Sequence, residues 1–86
     1  MSRASSLVSV VARALADEPE DVHVVETEHR GTLVVELYMP PGNLGHVIGR
    51  QGRTASAIRA LAGIAGEQDR QQVQVEFRDG PAPSRS

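Results

Sequence analysis

Apolar residues along this chain change period from one stretch to the next, and the changes mark out its elements. Leu7, Val8, Val11, Ala12 and Leu15 recur at three- to four-residue spacing, which predicts a first helix capped by Ser5 or Ser6. Pro19 disfavours helical geometry just before it, so that helix should end by Glu18. Asp17, Glu18, Glu20 and Asp21 then form an acidic connection. A strand is expected from Val22 to His29 and a tight reversal at Arg30-Gly31. Next, Leu33, Val35, Leu37 and Met39 alternate with Val34, Glu36 and Tyr38, the clearest two-residue period in the chain. Pro40-Pro41 stops this strand, and Asn43 can start a short helix through Leu44, Val47 and Ile48. A longer helix is predicted from Gly52 to about Ala65, with Ala55, Ile58, Leu61, Ala62 and Ala65 inward and Gly63 and Gly66 weakening its end. Gln71 to Arg78 alternates again, with Val73, Val75 and Phe77 on one side.

The predicted order is helix, strand, strand, helix, helix, strand. A hairpin plus a strand that returns after a helical crossover makes an α+β domain, a three-stranded mixed sheet with helices packed on one face. Residues 1–5 are expected to be a flexible N-terminus and residues 6–79 the domain. Residues 80–86 have no apolar anchor and read as a disordered tail.

Composition narrows the function classes. Eighty-six residues allow one domain with a modest core. Without cysteine there is no disulfide and no thiolate metal site. No run approaches the ~20 apolar residues of a membrane span, and Met1-Ser2-Arg3-Ala4 does not open a secretory signal, so a cytoplasmic protein is expected. His23, His29 and His46 lack metal-ligand spacing, and no nucleophile, base and orienting group cluster. Neither a metal, a cofactor nor an enzyme activity is predicted. The absence of lysine disfavours a nucleotide-hydrolysing phosphate loop.

A net charge of −2 is unlike that of a nonspecific nucleic-acid binder, but its distribution is uneven. From Leu37 to Gly66 there is no Asp or Glu, while Arg50, Arg53, Arg59 and His46 fall inside that window. Local potential, rather than the total, steers a polyanion. Three solvated helix arginines are the plainer reading of the same pattern.

Within that window lies His46-Val47-Ile48-Gly49-Arg50-Gln51-Gly52-Arg53-Thr54. Gly49 stands where a short helix would stop and Gly52 where the next would begin. The first N–H groups of a helix have no internal partner and, with the helix dipole, favour anions. Two glycines let a sugar-phosphate chain approach the backbone, with Arg50, Gln51 and Arg53 as outward donors.

In these residues, and in Ala55, Ile58 and Arg59 after them, the sequence resembles the K-homology (KH) domain, whose G-x-x-G loop clamps a few single-stranded nucleotides. It looks most like the small stand-alone bacterial KH proteins of the KhpA type. The resemblance implies a single type II (prokaryotic) KH fold. It also implies single-stranded RNA binding by Gly49, Arg50, Gln51, Gly52 and Arg53, over a groove floored by Leu44, Val47 and Ile48. His46 could add a contact. Val35 and Leu37 are candidates for the opposing strand, with core packing as the alternative.

The resemblance further implies an RNA chaperone or post-transcriptional regulator, with links to cell-wall homeostasis and cell shape. Its partners would be a second copy or a larger KH-containing protein of the KhpB/Jag type, with no membrane involved. Gln51 departs from the pattern, since a second basic residue is frequent there. Tyr38 and Phe77 sit in strand patterns, which removes aromatic stacking worth about 1–3 kcal/mol per base. Affinity of the lone domain is therefore expected near micromolar, roughly −8 kcal/mol. Two alternatives come from other classes. One is a dimerisation module using Ser56, Ala60 and Gly63 on the outer side of the long helix; the other is a ribosome-associated assembly factor.

Overall fold

The computed structural model describes residues 1–40 and 52–83. Helix α1 spans Arg3–Leu15, strand β1 His23–His29, strand β2 Thr32–Met39, helix α2 Arg53–Gln68 and strand β3 Gln72–Asp79, with a 3-10 turn at Pro19–Asp21. The short helix expected from Asn43 through Ile48 lies outside the described residues. Strand β2 is central: it pairs antiparallel with β1 and parallel with β3, giving the expected mixed sheet.

The two-residue period of β2 is realised in full, since Leu33, Val35, Leu37 and Met39 are buried and the residues between them are half-buried. Val8 and Ala12 of α1, Ile58 and Ala62 of α2, and Val75 of β3 close the core over them. The hairpin turns at Arg30 (φ 51) and Gly31 (φ 82), so both residues take the left-handed conformation that matches strand twist. On the opposite sheet face, Arg78 bridges the facing carboxylates of Glu36, at 3.3 Å, and Glu76, at 3.8 Å.

Helix α1 differs from its predicted form in start and in rotation. Ser2, rather than Ser5 or Ser6, is its cap, accepting the Ser5 N–H at 3.1 Å, so the expected domain boundary at residue 5 falls inside the helix. Its buried stripe is Ala4, Ser5, Val8, Ser9 and Ala12, while Leu15 is exposed. Small residues let the helix lie close to its neighbours, and the serines find local partners for their hydroxyls. Ser9 accepts from Arg13, which also donates to the Val22 carbonyl.

Glu26, pointing inward from β1, accepts the Ser2 N–H at 2.6 Å and sits at the amino end of α1. Hydrogen bonds from the Ser2 and Ser5 side chains hold its carboxyl below the ordinary carboxylate range. A lowered folded-state value stabilises above the unfolded-state value, and the contribution fades as pH falls through the folded one. Glu26→Gln is expected to cost about 1 kcal/mol at pH 7. The deficit should shrink as pH drops and the wild-type carboxylate protonates. Urea unfolding at pH 7 and pH 3 checks this; a pH-independent deficit would assign Glu26 a packing role only.

Helix α2 runs past its predicted end at Ala65 to Gln68. Arg70 (φ 53) takes the left-handed position after the cap, and Gln71 and Arg70 return their N–H groups to Gly66 and Glu67. Gly66 does not weaken this end but permits it. A Cβ there would lie 2.5 Å from Val73 Cγ2 and 2.6 Å from the Gln71 carbonyl. Gly66→Ala should therefore destabilise by about 1–3 kcal/mol through overpacking, against the helix-propensity gain of up to about 1 kcal/mol. Thermal unfolding of the variant reads the sign, and an unchanged or raised midpoint would remove the close-approach argument.

Candidate nucleic-acid interface

Gly52 caps α2 with φ 70 and ψ 17, a left-handed conformation that a residue with a Cβ adopts at a cost. A Cβ there would meet nothing within 4 Å, so the requirement for glycine is conformational. Arg53 is the first helical residue. Of the predicted site residues these two are described; Leu44, His46, Val47, Ile48, Gly49, Arg50 and Gln51 lie outside the described residues. Val35 and Leu37, candidates for the opposing groove strand, are 0% exposed and belong to the core. They occupy the central strand, sealed beneath the helices, and offer no surface to a ligand.

The strand that borders open space beside α2 is β3. A cleft of about 610 Å³ runs between them, with Arg59, Gly63 and Glu67 on the helical wall and Val73, Gln74 and Val75 on the strand. Gly80 donates its N–H to the Met39 carbonyl at 2.7 Å. Backbone polar groups alternate in direction along a parallel pair. Even-numbered β3 residues thus face β2, while Val73, Val75 and Phe77 turn their N–H and C=O groups to the open edge.

The two sheet edges differ in their defences. On β1 the residues that pair with core positions Leu37, Val35 and Leu33 are Val24, Glu26 and Glu28. Inward-pointing carboxylates discourage the pairing of another chain along that edge. On β3 the residues opposite Leu33, Val35 and Leu37 are Val73, Val75 and Phe77, all apolar. Among the described residues no further strand pairs with this edge.

Arg59 is held over the Phe77 ring, its guanidinium carbon 4.9 Å from the ring centroid. A cation on an aromatic face gains about 0.5–1 kcal/mol at an exposed site and keeps the guanidinium beside the cleft. Sequence reasoning assigned Phe77 to packing and Arg59 to general positive charge. The signal that joins them is the placement of Phe77 on the inward face of a strand that follows α2. The predicted inward residue Leu61 is instead 43% exposed, as is Ile64 at 57%, because the buried stripe of α2 is Ala55, Ile58, Ala62 and Gly66. Among the described residues no three His, Cys, Asp or Glu side chains group to hold a metal ion, and no helix is long and apolar enough to cross a membrane.

A glycine-headed helix packed over a three-stranded mixed sheet is the arrangement expected of a KH domain, and comparison with known proteins shows the family. Residues 5–77 match the KH domain described as KhpA/KhpB, and the chain belongs to that family. It is 43% identical over 71 residues to the RNA-binding protein KhpA of Clostridium perfringens, covering 83% of this chain and 95% of the relative. The RNA-binding protein KhpA of Aquifex aeolicus is 38% identical over 77 residues, 90% of this chain and 98% of that one. For the Bacillus subtilis protein of the same name the identity is 37% over 73 residues, with 85% and 90% covered. Among solved structures, Era in complex with MgGDPNP and nucleotides 1506–1542 of 16S ribosomal RNA superposes with a TM-score of 0.61 at 23% identity. That match covers 93% of this chain and 30% of Era, and it establishes a shared fold.

Proposed function

We propose that this protein binds single-stranded RNA in the cleft between α2 and β3, with Gly49-Arg50-Gln51-Gly52 as the clamp on the sugar-phosphate backbone. The observation that carries the reading is the cleft itself: a helix headed by left-handed Gly52 on one side and an undefended strand edge on the other. The names of the relatives, each an RNA-binding protein, point the same way. Backbone N–H groups at the start of α2 and the Arg50 guanidinium hold phosphates, and Gln51 adds polar contacts. Arg53 supports them by charge. Leu44, Val47 and Ile48 floor the groove under unstacked bases, and His46 adds a contact to the RNA. The free N–H and C=O groups of Val73, Val75 and Phe77 hydrogen-bond base edges.

The cellular role that fits is an RNA chaperone or post-transcriptional regulator in the cytoplasm, acting with a KhpB/Jag-type protein and bearing on cell-wall homeostasis and cell shape. A second reading, assembly with another copy, is favoured by Leu61 and Ile64, which stand exposed on α2 beside the small residues Ser56, Ala60 and Gly63. Assembly would also serve RNA binding, since two linked sites raise avidity by roughly 10²–10⁴.

The clamp is tested by an Arg50→Asp, Gln51→Asp double variant, binding short unstructured RNAs at two salt concentrations, with circular dichroism to confirm the fold. Wild type should bind near the micromolar range with a salt slope of about −2 for three cationic contacts. The variant should lose binding at least tenfold while staying folded. Equal binding by both proteins would overturn the clamp.

A further inference from the structure

Glu67 lines the same cleft with a charge that repels phosphate. It is the first carboxylate after the acid-free window and lies eight positions after Arg59 on α2, about 12 Å along the helix. Its neighbour Gly66 is packed against Val73, so at this level the opposite wall of the cleft is the start of the open β3 edge. Glu67 is exposed, and among the described residues its side chain enters no hydrogen bond or ion pair, whereas Glu26, Glu36, Asp69 and Glu76 each engage a partner. Gly63, one turn earlier, leaves the cleft wall open between Arg59 and Glu67.

The geometry points to Glu67 as a base-selecting residue: it favours a nucleotide whose base carries an exocyclic amino group and disfavours uracil. The inference rests on the RNA-binding reading above. An RNA strand that follows the arginines at the head of α2 cannot lay a phosphate against this carboxylate, so the base turns toward it. Guanine presents N1–H and N2–H side by side and makes a two-bonded pair with a carboxylate. Cytosine N4 and adenine N6 each offer one donor beside a ring acceptor, which the free Val73 N–H can satisfy. Uracil has no amino group, and its single N3–H lies between two carbonyls that the carboxylate repels. The expected order at one position of the bound strand is guanine, then cytosine and adenine, then uracil.

The probes are oligouridine strands carrying one guanine, cytosine or adenine at each position in turn, with binding read by fluorescence anisotropy. Wild type, Glu67→Gln and the Arg50→Asp, Gln51→Asp variant are compared. Wild type should bind the strand with guanine at one particular position about fivefold or more tightly than plain oligouridine, the low end of discrimination by a two-bonded pair. Glu67→Gln, with an amide that both donates and accepts, should compress that range to within about twofold and leave oligouridine affinity equal or raised. The same ranking in Glu67→Gln, or wild type indifferent to the base at every position, overturns the assignment. If the clamp variant loses all strands alike while Glu67→Gln keeps the ranking, RNA binding stands and the role of Glu67 falls. Failure of wild type to bind any strand would remove both.

Discussion

Because β3 runs parallel to β2, the chain must cross the helical face of the sheet between them, and nearly every other feature follows from that crossover. Among the described residues the crossing element is α2, which turns its Ala55, Ile58 and Ala62 face onto the Leu33, Val35, Leu37 and Met39 side of β2. Its exit is short: Gly66 presses on Val73 and the Gln71 carbonyl, and Arg70 reverses the chain in a left-handed conformation. Its entry is Gly52. One element thus places a glycine-headed helix start at one end and an open strand edge alongside. The cleft between them is a by-product of building a parallel pair with a helical crossover.

Charge then gives the cleft direction. Arginines gather toward the head of α2, and the first carboxylate, Glu67, comes near its other end. The opposite sheet edge is treated differently, since β1 turns Glu26 and Glu28 toward the interior side, where Glu26 is satisfied by the amino end of α1. A net-acidic chain therefore keeps a positive region next to its one edge free of inward charge, among the described residues. Total charge says little about such a protein; placement says much more.

Much of the fold was legible in the sequence because burial imposes its period. The alternation in β2 translated directly into alternating burial, and Arg30-Gly31 into a two-residue turn. Helix α1 was harder to read. Its buried side is built on Ala4, Ser5 and Ser9, whose small or polar character hides them from a hydrophobic pattern, while exposed Leu15 falls in register with the predicted stripe. Leu61 misled in the same way on α2. At the site, the glycine at position 52 announced itself through spacing, but the opposing strand did not. Val35 and Leu37 looked suitable by pattern, and only the strand order, with β2 in the centre, shows that β3 holds the open edge. Strand order depends on contacts distant in sequence, which no local period reports.

The most direct measurement is a titration of ¹⁵N-labelled protein with a short unstructured RNA, following backbone amide shifts. RNA lying along the cleft should move the amides of Val73, Val75 and Phe77 together with those at the start of α2. The amides of Val24, Glu26 and Glu28 on the guarded edge should stay in place. Shifts concentrated on β1 or on the Glu36–Arg78 face, with β3 silent, would contradict binding along the open edge and move the RNA site elsewhere on the domain.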